Sequence, residues 1–156
     1  MSDERGLIAE QEALTRVAKE LHGLLGPGDE RAEYLGTVLA PVTSERVRAA
    51  NPNGKYKMSD GQFNALPFTE TLRDAVRDLR SATYREGAGT WFSAKVSVTA
   101  QGAVSAEYNY DDEPEWDAPV DAIAYLTDLE QFPRDEVNQP AWLKAKLEEA
   151  RAARHP

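Results

Sequence analysis

Residues 90–110, TWFSAKVSVTAQGAVSAEYNY, decide the fold. From Thr90 to Thr99, Phe92, Ala94, Val96 and Val98 alternate with Ser93, Lys95, Ser97 and Thr99. From Ala103 to Tyr110, Val104, Ala106, Tyr108 and Tyr110 alternate with Ser105, Glu107 and Asn109. A period of two places successive side chains on opposite faces of a strand. Ala100-Gln101-Gly102 is short enough to turn the chain back, with Gly102 where a left-handed residue is required. The stretch reads as an antiparallel hairpin with one apolar face, which has to be covered. Tyr108 and Tyr110 continue that core face. Trp91 falls on the face opposite Phe92, where it would cover a helix or touch a partner.

Two helices are available as cover. Between Asp3 and Leu25, Leu7, Gln11, Leu14, Ala18, Leu21 and Leu25 recur at spacings of four and three, and Gly26-Pro27-Gly28 ends the run. Thr69 to Tyr84 is the second. Thr69 suits an N-cap, Glu70 suits the first turn, and Leu72, Val76, Leu79 and Thr83 form one face. Between the helices, Arg31–Val42 and Ser44–Ala50 read as strands. Asn51-Pro52-Asn53-Gly54 is a turn across which Lys55–Met58 would pair back, and Gln62–Leu66 either extends the sheet or leads out of it. Pro140 opens a last helix, Ala141–Ala153, as its first residue. The order is helix, strands, helix, hairpin, irregular acidic segment, helix. That is an α+β fold: a single domain, 1–156, with an antiparallel β-sheet and helices packed on it.

Charge is distributed unevenly. Residues 107–136 hold eleven acids against one base, Arg134, a net charge of −10 in a chain of net charge −9, so the remaining residues sum to +1. Within that segment stand Asp111, Asp112, Glu113, Glu115, Trp116, Asp117 and Asp121. A solvated loop is the plain reading of such a composition, but Trp116 among the acids argues for more. It folds back as a plug over the open end of the sheet or anchors a partner, and the two are compatible. Aromatic contact area with carboxylates around it suits a surface that grips a basic partner. The same charge disfavours nucleic acid and anionic membranes, whose phosphates would repel it.

Other chemistries find no support. The chain of 156 residues, 41% apolar and 29% charged, is long enough for a core without staples, and it has no cysteine for disulfides or thiolates. The N-terminus lacks the pattern of a signal peptide, and no apolar run approaches the roughly 18–20 residues that span a bilayer. A cytoplasmic protein is the expectation. His22 sits in the first helix beside its stripe and His155 near the C-terminus, neither near a nucleophile at diagnostic spacing. Gly87-Ala88-Gly89 precedes a strand rather than a helix, so it stops the helix before it and cradles no phosphate. The carboxylates of 111–121 are the right donors for a hard cation, but the glycine turn of a calcium loop is missing and Pro114 and Pro119 stiffen the segment. No enzyme, cofactor or metal is expected.

Trp91, Gly102, Tyr108, Asn109, Tyr110, Asp111 and Trp142 together carry a resemblance to the YezG-like family of small bacterial antitoxin or immunity proteins. It covers Thr90–Leu143 best and is weak before Thr69. The resemblance implies a sheet with helices packed on it and a function of binding and neutralising a cognate toxin domain, one to one, with no catalytic residues. A toxin that attacks nucleic acid has a basic surface for the acidic segment to occlude. The competing expectation is an acidic chaperone or adaptor for a secreted protein.

Overall fold

The computed structural model describes residues 2–154, with the side chains of residues 2–4 left aside. His155 lies outside the described residues. The elements run α1 (Ser2–His22), β1 (Arg31–Leu39), β2 (Val42–Ala50), β3 (Tyr56–Met58), β4 (Gly61–Leu66), α2 (Glu70–Ala82), β5 (Ser93–Thr99), β6 (Val104–Asn109), α3 (Ile123–Gln131) and α4 (Ala141–Arg154), with one 3-10 turn at Glu136–Asn138. The strands form one six-stranded antiparallel sheet in the order β3-β4-β2-β1-β5-β6. The fold is α+β, as expected. No described helix is long and apolar enough to cross a membrane.

The hairpin forms as its pattern requires. Gly102 takes φ +94°, and the turn is closed by Thr99 N–H donating to Ala103 O and Gly102 N–H to Thr99 O. Thr69 caps α2, its hydroxyl accepting the Leu72 N–H at 3.2 Å. Pro140 stands one position earlier than expected, with its carbonyl accepting the Lys144 N–H, so it precedes the first helical residue of α4.

Three readings are corrected. Lys55–Met58 does not pair with Ser44–Ala50. β4 takes that place, with Val47 opposite Leu66 and Ala50 opposite Phe63, and β3 pairs outside it, Tyr56 opposite Phe63. The reason is burial: Phe63 is 2% exposed in β4, while β3 offers only exposed residues. Gly54 makes the crossing possible, since a Cβ there would lie 2.6 Å from the Phe63 backbone. The acidic segment is not irregular throughout, because it contains α3. And Trp91 makes no surface: it is fully buried and stacked on Tyr108, ring centroids 6.2 Å apart.

The chain forms two compact units. Among the described residues the first comprises 2–35, 45–83 and 94–107. In it the apolar stripes of α1 and α2 meet, and Val17, Leu21, Leu72, Val76 and Leu79 are buried, as are Ala94, Val96 and Val98 of β5. The stripe of α1 is buried only in its second half; Leu7 and Ile8 are exposed. α2 is fastened to the strands by Arg77, which donates to Glu45 at 2.6 and 3.1 Å, and Glu45 also accepts the Tyr34 hydroxyl at 2.6 Å. On β6 the expected core face is only partly covered. Val104 is exposed and Ala106 half-buried, because β6 is an edge strand.

Among the described residues the second unit comprises 36–44, 84–93 and 108–154. Leu39, Phe92, Ala122, Ala124, Tyr125, Leu126, Leu143, Leu147 and Ala150 form its core, with Trp116, Val120 and Trp142 packed against them. Ala122, Tyr125, Leu126 and Leu129 fall at i, i+3, i+4 and i+7, the spacing that makes α3 a helix.

Candidate functional site

The acidic segment begins where β6 ends, and a local hydrogen-bond network fixes its departure. Asn109 Oδ1 accepts the N–H groups of Asp111 and Asp112 at 3.3 and 2.8 Å, an Asx turn. Its Nδ2 donates to Ser93 Oγ at 3.2 Å and Asp112 O at 2.9 Å. Trp142 of α4 donates its indole N–H to Asp111 O at 2.8 Å. These bonds fold the main chain of 109–112 inward and turn the carboxylates of Asp111 and Asp112 out to solvent.

Arg134 holds the same turn from inside. Its guanidinium, 3% exposed, donates to the carbonyls of Thr90, Tyr110 and Asn138 and lies over the Phe92 ring at 4.6 Å. Five donors in a planar fork suit several carbonyls and one ring face at once. Gly89 admits it: a Cβ at that position would collide with Arg134, and its φ is +80°. Asp111 is 3.5 Å from Arg134 but its side chain is 79% exposed, so the carboxylate remains available.

Further along, Trp116 packs against the core and donates its Nε1–H to Tyr125 Oη at 2.9 Å. It is the plug that the sequence admitted. Burial, together with the charges of Glu113 and Asp128, holds the Tyr125 phenol above its usual range, although the Trp116 bond pulls the other way. Asp117 accepts the Ser44 hydroxyl, Glu115 O accepts weakly from Thr37 Oγ1 at 3.4 Å, and Asp121 Oδ1 accepts the Ile123 N–H at 3.0 Å at the start of α3. Asp111, Asp112, Glu113, Glu115, Asp117 and Asp121 are all exposed. The structure therefore carries all six on one anchored loop with a half-buried Trp116 among them.

A second cluster of charge was not singled out in the sequence. Glu33 on β1, its side chain 2% exposed, accepts from Arg48 Nε at 2.7 Å and Arg31 Nε at 2.8 Å, with Lys95 Nζ at 3.6 Å. Arg48 also stacks on Phe63 at 3.8 Å and reaches Asp60 at 2.8 Å. Burial alone would raise the Glu33 pKa, but the bonds and charges of these bases outweigh it and hold the carboxyl below 4.5. Their charges are spent on each other. Those of the acidic loop are not, and this difference makes the loop the better candidate for a partner. Arg31 and Glu33 sit two apart on one strand, the one trace of the network in the sequence.

His22, at the end of α1, contacts Ala100 O through Nε2 at 3.0 Å, a structural role. Among the described residues no three His, Asp or Glu side chains are gathered so as to hold a metal ion. No family model matches the chain and no curated protein matches it.

Proposed function

We propose that this chain is an immunity protein that neutralises a cognate bacterial toxin domain by setting residues 111–121 against a basic surface of that toxin. It is a binding module rather than an enzyme, and it works in the cytoplasm as one copy per toxin. The observation that carries the reading is the contrast within one segment. Its main chain is pinned by Asn109, Arg134 and Trp142, while its six carboxylates are left exposed. A rigid presentation of like charge is costly to a fold and useful only toward an oppositely charged partner, which it steers and orients. The likeness of Trp91, Gly102, Tyr108, Asn109, Tyr110, Asp111 and Trp142 to the YezG-like pattern supports the same reading. A nuclease domain is the first candidate for the toxin, because it must be basic to hold its substrate.

The test is capture of partners from the native host on tagged protein, followed by assay of the captured protein alone and in complex. A single basic domain, stoichiometric and inactive until stripped, is the expected result. The exposed Leu7 and Ile8 of α1 favour a second reading, an acidic chaperone or adaptor holding an extended client. A client that keeps its activity in the complex would select it.

A further inference from the structure

In the second unit the loop from Glu113 to Val120, with Tyr125 of α3 and Lys146 of α4, forms an open groove of about 390 Å³. Trp116, Pro119, Val120 and Tyr125 line it with apolar surface, and Glu113 and Asp117 stand among them as exposed carboxylates. Tyr125 is almost wholly buried, so its ring belongs to the floor, and the half-buried Trp116 indole is held in place by its bond to Tyr125 Oη. Glu113 makes no hydrogen bond or ion pair with the described residues, and Asp117 only accepts the Ser44 hydroxyl. Lys146 of α4 also lines the groove, without an ion pair among the described residues.

The groove thus offers an anchored indole, an apolar floor and two carboxylates that form no ion pair among the described residues, with Lys146 as the one cation in its lining. Those are the requirements of one long cationic side chain. Its methylenes cover the floor, its charge meets the carboxylates, and a flat delocalised head stacks on the indole better than an ammonium does. We propose that this groove is a slot for a single arginine side chain of the basic partner, and that Lys146 is the chain's own cation against which that arginine competes. The inference rests on the reading that segment 111–121 faces a basic protein, and it names the residue type recognised there.

The test titrates N-acetyl-arginine amide onto the full chain and follows the Trp116 indole N–H in 1H–15N spectra, that signal being identified by its loss in Trp116→Phe. N-acetyl-citrulline amide, neutral and of the same shape, and N-acetyl-lysine amide serve as comparisons. The slot predicts a saturable shift of the Trp116 indole with arginine, a weaker one with lysine and none with citrulline. Glu113→Gln weakens the arginine response and Lys146→Ala strengthens it, each about threefold for one nearby charge. A Trp116 signal that does not move, an equal response to citrulline, or an arginine response indifferent to both substitutions overturns the slot. Loss of the slot while a captured toxin is still inhibited leaves the immunity reading standing. Saturable arginine binding with no inhibited partner does the reverse.

Discussion

Trp116 Nε1 donates to the hydroxyl of Tyr125 at 2.9 Å, and that bond joins the acidic loop to the core of its unit. Nine residues apart, the two stand on either side of the turn carrying Asp117, Pro119 and Asp121. One indole and one phenol thus add to the hold that Asn109, Arg134 and Trp142 have on the start of the loop.

Removing either partner should therefore loosen the loop as well as the core. Tyr125→Phe keeps the ring and orphans the indole N–H, and should cost about 1 kcal/mol. Trp116→Ala also loses half-buried apolar area and should cost about 2–3 kcal/mol. Urea unfolding of the two single variants and the double variant checks this. A double-variant cost equal to the sum of the singles would mean that the bond does not couple them.

Arg134 is the second fastening. Arg134→Ala leaves the carbonyls of Thr90, Tyr110 and Asn138 unsatisfied and opens space over Phe92. A loss of about 3 kcal/mol is expected. Arg134→Lys should recover little of it, because an ammonium cannot serve three carbonyls and a ring face from one plane. Melting temperatures of the three proteins decide the matter, and full recovery by lysine would show that charge alone was needed.

Glu33 makes stability depend on pH in the acid range. Its folded pKa is depressed below 4.5 against the opposing effect of burial, by hydrogen bonds to Arg31 and Arg48 and by the charges of Arg48 and Lys95. The folded state therefore holds fewer protons on this group than the unfolded chain. The stabilisation is fully present above the unfolded pKa and is lost as pH falls through the folded pKa. Glu33→Gln should flatten that acid limb while leaving a destabilised protein at neutral pH, where Arg31, Arg48 and Lys95 lose their shared partner. Denaturant unfolding of both proteins between pH 3 and 6 tests it; parallel curves would exclude Glu33 as the source.

How far the sequence carried the structure depended on the range of the signals. The hairpin was legible because alternation and Gly102 are local, and so was the Thr69 cap of α2. α3 is encoded by the spacing of Ala122, Tyr125, Leu126 and Leu129, but the pattern covers little more than two turns amid acids and prolines, so composition outweighs periodicity there. The place of β4 beside β2 turned on the burial of Phe63, which no turn signal encodes. Of the site, the exposure of the acids followed from composition. The anchoring by Arg134 and Trp142 did not, since their bonds to Tyr110 and Asp111 span more than twenty residues. The Glu33 network was missed for the same reason, its members coming from three strands.

Whether the exposed acids of 111–121 occlude a basic toxin surface is decided by the inhibition constant for the captured toxin, with the native chain and with Asp112→Lys, Glu115→Lys, across a range of salt. Neither carboxylate makes an ion pair among the described residues, so the doubly reversed protein should melt within a degree or two of the native one. The inhibition constant should rise at least tenfold at low salt, mostly through slower association, and its salt dependence should flatten. An unchanged inhibition constant and salt slope in a folded variant would contradict the occlusion and place the toxin on another surface.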